Sequence, residues 1–123
     1  MKKLSVFLIV VLMAVLLFAV TAAAVTISTS GTYYLSDYGN GETYTINPGL
    51  TVTLVGSSSV TYTNVAIVCQ GNSAGIKLTL DNVRINNDAN SGRTPLAFWG
   101  GSGNELYLVN DNFLFAGFNA AGV

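Results

Sequence analysis

The chain has no histidine, one cysteine and two prolines, and only 9% of its residues are charged. The lack of histidine removes the side chain most often used for acid–base catalysis and metal binding near neutral pH. The single cysteine, Cys69, excludes a disulfide within the chain. Its apolar neighbours in "VAIVCQG" predict a buried thiol rather than a reactive one.

Basic residues are scarce. Residues 25–123 contain only Lys77, Arg84 and Arg93 against six acidic residues, which gives this part a net charge of −3. Because no basic cluster is present, nucleic acid is not an expected partner. The helix formers Glu, Lys, Gln and Met are also rare here, whereas Thr, Ser, Asn, Gly, Val and Tyr are common. The composition therefore predicts strands and turns.

The N-terminus has the features of a secretory signal. Two lysines precede an uncharged apolar run over residues 4–20, and Ala22 and Ala24 fit the small-x-small rule for signal-peptidase cleavage. We predict a signal peptide over residues 1–24, one domain over residues 25–123, and a secreted or cell-surface location. No membrane insertion is expected after cleavage. The alternative is that the run is kept as an anchor.

A glycine followed by alternating apolar residues occurs three times. The segments are "GLTVTLVG" at 49–56, "GIKLTLDN" at 75–82 and "GNELYLVN" at 103–110. A period of two indicates strands with one buried face, and the final glycine or asparagine suits a sharp corner. Aligning the glycines predicts that Lys77 and Glu105 pair on the outward face. The same alignment stacks six apolar residues as one inward face: Val52, Leu54, Leu78, Leu80, Leu106 and Leu108.

Two weaker series repeat between these segments. "VAIVCQG" at 65–71 corresponds to "TPLAFWG" at 94–100 with an offset of 29, and "DNVRI" at 81–85 corresponds to "DNFLF" at 111–115 with an offset of 30. The drift of the offset predicts a small insertion near residues 109–110. These alignments also predict that Phe98, Phe113 and Phe115 lie in the core.

Each unit of 26–30 residues thus contains about three short strands, which is typical of a solenoid. We predict an all-β fold, a right-handed parallel β-helix of about three coils preceded by the N-terminal signal helix. A β-sandwich or jelly roll is the rival prediction, but it favours antiparallel hairpins without a constant period.

The segments "NVAIVCQGNSAGIKLTLDNVRI" and "LAFWGGSGNELYLVNDNFLFAGFNAAGV" resemble coils of secreted β-helix proteins of the pectate-lyase-like superfold. They are similar in particular to the adhesin-like, carbohydrate-binding domains of microbial surface proteins. The resemblance covers about residues 60–123 and rests on a strand-turn-strand consensus, not on an active-site motif. It implies an exported, non-catalytic segment whose partner is a polysaccharide or surface glycan.

β-Helices of this kind usually continue for many more coils. Here the sequence stops at "NAAGV", where Val123 would be starting another strand. We therefore expect the domain to be incomplete at its C-terminus. An open sheet edge at that end would favour end-to-end self-association.

Enzymes of the same superfold provide the alternative function. A lyase or hydrolase would need clustered carboxylates, and the recurring "DN" predicts that Asp81 and Asp111 stack with Arg84 nearby. Asp-Asn pairs more often cap turns, and Asp88 and Arg93 in "NNDANSGRT" have the pattern of solvated charges. We assign no catalytic residue, metal or cofactor. A fragment of a polysaccharide lyase or glycoside hydrolase and a purely structural stalk stay open as alternatives.

Aromatic residues provide the candidate site, because sugar rings stack on flat side chains that stand on a rigid sheet. Trp99 aligns with the polar Gln70, and Tyr107 lies between Leu106 and Leu108, so both should point outward. They are the predicted carbohydrate-binding residues. The alternative interpretation is that these aromatic side chains only cover part of each sheet surface and bind no ligand. The full set of candidates is Tyr33, Tyr34, Tyr38, Tyr44, Tyr62, Trp99 and Tyr107.

Threonine triplets of the form Thr-x-Thr occur at 43–45, 51–53 and 61–63. Their spacings of 8 and 10 residues do not match the repeat. The three triplets should therefore not form one ladder, which counts against an ice-binding surface.

Overall fold

A computed structural model describes residues 24–88 and 92–117. The predicted signal helix, apart from Ala24, and the predicted strand start at Val123 fall outside the described residues. Within the described ranges, no helix is long and apolar enough to cross a membrane.

The described residues form eleven strands and one short 3-10 helix. The 3-10 helix is Leu35–Asp37, and it follows the second strand. The strands are β1 (Ala24–Ile27), β2 (Gly31–Tyr34), β3 (Thr43–Ile46), β4 (Thr51–Val55), β5 (Tyr62–Thr63), β6 (Ala66–Gln70), β7 (Lys77–Asp81), β8 (Arg84–Asn86), β9 (Leu96–Trp99), β10 (Glu105–Val109) and β11 (Phe113–Phe115).

The strands form three parallel sheets. Sheet A has the order β1-β3-β6-β9, sheet B has the order β2-β4-β7-β10, and sheet C has the order β5-β8-β11. All strand pairs are parallel, and each strand from β1 to β8 pairs with a strand one repeat later. The predicted all-β, parallel architecture is confirmed. Antiparallel hairpins, which a sandwich would need, do not occur among these strands.

One hydrophobic core is shared by the three sheets. Ile67 comes from sheet A, Leu80 from sheet B and Ile85 from sheet C, and each is fully buried. Phe98 packs against this core as predicted, although it is only partly buried. The alternation of apolar and polar residues places one face of every sheet in this common interior.

The predicted register of sheet B is confirmed. Val52, Leu78 and Leu106 are successive Cα partners, and so are Leu54, Leu80 and Leu108. Burial follows position in the sheet, because the inner four residues are fully buried whereas Leu106 is 39% and Leu108 is 62% exposed. The prediction that all six are buried is wrong for these two. They lie on β10, an edge strand that no further strand covers in the described part of the chain.

The predicted register of sheet C is wrong by one residue. Phe113 pairs with Arg84 and Leu114 pairs with Ile85, an offset of 29 instead of 30. A shift of one residue turns every side chain of a strand to the other face. Leu114 therefore packs on the core, while Phe113 and Phe115 are 42% and 49% exposed and do not lie in the core as predicted. The predicted insertion is real, but it is a single residue between β10 and β11.

Asparagine forms the corners between sheets. Asn64, Asn82 and Asn110 have φ angles of 57°, 53° and 58°, a left-handed conformation that asparagine tolerates better than most residues. Asparagine side chains also accept backbone N–H groups of the preceding repeat, as Asn104 does from Ile76 at 3.0 Å. These bonds join neighbouring repeats where the strand ladders stop.

Candidate functional site

Trp99 lies at the end of β9 with its side chain on the outward face of sheet A. Its Cα partner is Gln70, as the alignment predicted, and the indole is 62% exposed. The two glycines that follow have positive φ angles and turn the chain away from the sheet. Trp99 therefore presents a large flat ring on a backbone that is held by strand pairing.

Tyr107 lies at the centre of β10 on the outward face of sheet B. It is 49% exposed, and its hydroxyl donates a hydrogen bond to Glu105 Oε2. The other carboxylate oxygen of Glu105 lies 3.4 Å from Lys77 Nζ, so the predicted pairing of these charges is confirmed. An exposed pair of this kind is worth only about 0.2–1 kcal/mol. The hydrogen bond to Glu105 places the phenol beside this ion pair.

The hydrogen bond from Tyr107 is the main reason that the pKa of Glu105 lies below its ordinary value, with Lys77 adding to the effect. Tyr107→Phe should therefore raise the pKa of Glu105, because the bond stabilises the charged carboxylate. The stabilisation is present above the ordinary glutamate pKa and is lost as the pH falls through the lowered value. NMR titration of the Glu105 side chain measures the shift. Tyr34→Phe is the control, and an unchanged titration in Tyr107→Phe would contradict the contact.

A column of threonines leads across sheet B to Tyr107. Thr32, Thr53, Thr79 and Tyr107 are successive Cα partners on the outward face. Neighbouring strands are roughly 4.8 Å apart, so the hydroxyls form a regular row that ends at the phenol. We did not predict this column. Thr53, Thr79 and Tyr107 occupy matching positions of the three aligned segments, whereas Thr32 precedes the first segment, 21 residues before Thr53. The Thr-x-Thr triplets, in contrast, belong to three different sheets and form no common ladder, as their spacing indicated.

Phe113 and Phe115 form a second exposed aromatic patch on sheet C. Their rings are parallel within 4°, and their centroids are 6.4 Å apart. The Arg84 guanidinium lies 5.6 Å from the Phe113 centroid and also binds Asp111 Oδ2 at 2.7 Å. Sequence reasoning missed this patch because of the one-residue shift in register. The change of the repeat offset near Asn110 was the sequence feature that could have indicated this shift.

Two of the candidate tyrosines are not available to a ligand. Tyr44 is fully buried and Tyr62 is 6% exposed, so both belong to the core. Burial raises the pKa of the Tyr44 hydroxyl, with a further contribution from the nearby Glu42. Tyr34 and Tyr38 are about half exposed. The candidates that can stack on a sugar are thus fewer than the sequence suggested.

Among the described residues, Asp81 and Asp111 do not form the stacked carboxylate pair that the sequence predicted. Asp81 pairs with Val109 rather than Asp111, so the predicted stacking is wrong. Asp81 Oδ1 accepts hydrogen bonds from Asn82 at 3.1 Å and Asn110 at 2.7 Å, as expected for a corner. Among the described residues, no group of three or more His, Cys, Asp or Glu side chains could hold a metal ion.

The prediction that Arg93 is a solvated charge is wrong. Its guanidinium donates to the carbonyl oxygens of Gly41 at 3.0 Å, Glu42 at 3.3 Å and Asn64 at 2.8 Å. These carbonyls come from segments that precede β3 and β6, so Arg93 connects successive repeats. Cys69 is buried as predicted, and burial raises the pKa of its thiol to about 12.

The outward faces thus present aromatic rings and hydroxyls on sheets whose interior is closely packed. Trp99 and Tyr107 lie on consecutive strands of different sheets, β9 and β10. This arrangement can offer flat stacking surfaces together with hydrogen-bonding groups. Comparison with protein-family models, with curated proteins and with solved structures found no match.

Proposed function

We propose that this chain is an exported, non-catalytic segment of a cell-surface protein that binds carbohydrate through Trp99 and Tyr107. The observation that carries the proposal is the exposure of both rings, 62% and 49%, on consecutive strands of rigid parallel sheets. A sugar ring stacks on such a surface through its C–H groups, and the neighbouring hydroxyls orient it. The polar neighbours of Tyr107 are the threonine column and Glu105.

The proposed architecture is a right-handed parallel β-helix. Three parallel sheets that share one core, visited in turn by the chain, support this arrangement. The right-handed sense follows from the strong preference of parallel crossover connections. In such a scaffold the outward side chains are held at fixed spacing, which limits the entropy lost when a repeating polymer binds.

Trp99→Ala should weaken glycan binding by roughly 30-fold, because truncating an aromatic anchor costs on the order of 2 kcal/mol. Tyr107→Ala should weaken binding as well. The measurement is a glycan array followed by polysaccharide pull-down with the wild type and both variants. Phe113→Ala is the matched control, since it removes an exposed ring of similar size from another sheet.

Each experiment is repeated with a chelator. Binding that disappears with the chelator, or unsaturated uronate products from pectin, would contradict the proposal and favour the lyase alternative. Loss of binding in Phe113→Ala alone would move the site to the Phe113–Phe115 patch. Binding unchanged in all three variants would move it to the half-exposed tyrosines Tyr34 and Tyr38. No binding to any glycan would favour the structural stalk.

A further inference from the structure

The outward face of sheet B contains a second exposed tyrosine besides Tyr107. Tyr34 is the final residue of β2, its Cα partner on β4 is Val55, and it is 51% exposed. Side chains two residues apart on a strand share a face, so Tyr34 lies on the same face as Thr32. Because Thr32 belongs to the threonine column that leads to Tyr107, both tyrosines stand on one surface.

The two tyrosines are too far apart for a single sugar to contact both. β2 and β10 are three strand steps apart in sheet B, so steps of roughly 4.8 Å separate the two strands by about 14 Å. Tyr34 also lies two residues beyond the threonine column, which adds a displacement of about 7 Å along the strand. A chain of several sugars that crosses the strands can reach both phenol rings.

The surface between the tyrosines is made of hydroxyl and methyl groups on β4 and β7. Thr53 and Thr79 continue the threonine column, and Val55 shares the outward face with Thr53. A threonine hydroxyl can both donate and accept a hydrogen bond, as the hydroxyls of a sugar do. Both strands are paired on two sides, and Leu54 and Leu80 beneath them are fully buried. The surface is therefore formed before any ligand binds.

The charges on this face count against an acidic ligand. Lys77 is the only basic residue in the four strands of sheet B, and its Nζ lies 3.4 Å from Glu105 Oε1. Asp81 is a second carboxylate on the same face, where its Oδ1 accepts hydrogen bonds from the amides of Asn82 and Asn110. One positive charge against two negative charges gives these strands a net charge of −1. A uronate or sulfate would find no unpaired cation in these strands and would be repelled by the carboxylates.

We infer that the outward face of sheet B binds an extended, uncharged polysaccharide, which crosses the strands from Tyr34 to Tyr107 and stacks on both rings. The inference rests on the proposed function and adds a second stacking residue and a class of ligand to it. The outward direction of Tyr107 follows from the register of β10 with β7, so it does not depend on what lies on the other side of β10.

Two properties of binding follow from this arrangement. Contact with the second ring is made within the complex, so affinity should rise steeply with the number of sugars until the chain reaches both tyrosines. Added salt should have little effect, because no ion pair forms between the protein and the polysaccharide.

The test is biolayer interferometry of the full chain, in mild detergent, on immobilised polysaccharides that share a backbone but differ in charge. The pairs are hydroxyethyl cellulose with carboxymethyl cellulose, methyl-esterified pectin with polygalacturonate, and dextran with dextran sulfate. We expect at least one neutral polymer to bind and its charged counterpart to bind at least about tenfold more weakly.

Tyr34→Ala should weaken binding to that neutral polymer by about fivefold or more, as expected for loss of an aromatic contact. Tyr34→Phe keeps the ring and should bind like the wild type. Phe113→Ala is the matched control, since it removes an exposed ring from sheet C. Competition with oligosaccharides of increasing length measures how affinity depends on the number of sugars, and circular dichroism checks the fold of each variant.

Four results would overturn the inference and leave the proposed function in place. They are equal or tighter binding of the charged polymer, unchanged polymer affinity in Tyr34→Ala when Tyr107→Ala loses binding, an equal loss in Tyr34→Phe and Tyr34→Ala, and competition by a single sugar as strong as by the longest oligosaccharide. Binding of the wild type to none of the polymers would overturn the proposed function and the inference together.

Discussion

Leu80→Ala is expected to lower the free energy of unfolding by about 2–5 kcal/mol. Leu80 is fully buried on β7, and strands pair on both sides of it, with Leu54 and Leu108 as its Cα partners. Removing most of its side chain loses buried apolar contact and leaves a cavity, because paired strands cannot move together to fill it. Denaturant unfolding followed by circular dichroism measures the change.

Leu108→Ala is the matched control for this prediction. It removes the same atoms from the same column of sheet B, but Leu108 is 62% exposed. In dilute protein, where copies do not associate, its cost should be less than half that of Leu80→Ala. Equal losses for the two variants would mean that the edge of sheet B is covered by another part of the protein.

Asn87→Leu is expected to destabilise the fold by on the order of 3 kcal/mol. Asn87 has no exposed surface, and its side chain makes three hydrogen bonds to the backbone. Its Oδ1 accepts from the Val65 N–H at 3.0 Å, and its Nδ2 donates to the carbonyls of Val65 at 2.6 Å and Arg93 at 3.1 Å. Leucine has a similar size but leaves these groups unpaired, at about 1–3 kcal/mol for each one that stays buried.

The neighbouring Asn86→Leu provides the control, because Asn86 is exposed on the outward face of β8. We expect a change within about 0.5 kcal/mol for this variant. Thermal unfolding of both variants and of the wild type measures the two changes in stability. Similar melting temperatures for Asn87→Leu and the wild type would show that water replaces the lost amide, so that the bonds to Val65 are not essential.

The three aligned glycines of sheet B have different structural roles. The alignment on Gly49, Gly75 and Gly103 correctly matched the strands of sheet B, yet the three glycines serve different needs. Gly49 and Gly103 have φ angles of 78° and 73°, which glycine adopts without strain. At Gly75, a Cβ atom would lie 2.1 Å from the Gly103 carbonyl oxygen of the next repeat. The pattern thus aligned the strands correctly but did not predict what each of these glycines does.

The sequence by itself determined the strand periodicity, the all-β composition, the register of β4, β7 and β10 in sheet B, and the register of β6 with β9 in sheet A. Alternation over "KLTL" and "ELYL" was sufficient to place Leu78 opposite Leu106 and Lys77 beside Glu105. The same pattern predicted that Trp99 and Tyr107 point outward. These results depend on a period of two along one strand and on nearly constant spacing between strands, and both can be read directly from the residues.

Only the tertiary structure decided what depends on contacts between distant segments. One residue added at the corner before β11 reversed the faces of Phe113 and Phe115, and the edge position of β10 exposed Leu108. Asn87 and Arg93 lie in a polar stretch typical of a solvated loop, yet their side chains bind the backbone of other repeats. A hydrophilic pattern reports the polarity of a side chain, whereas its burial depends on which backbone groups need a partner after the sheets have stacked.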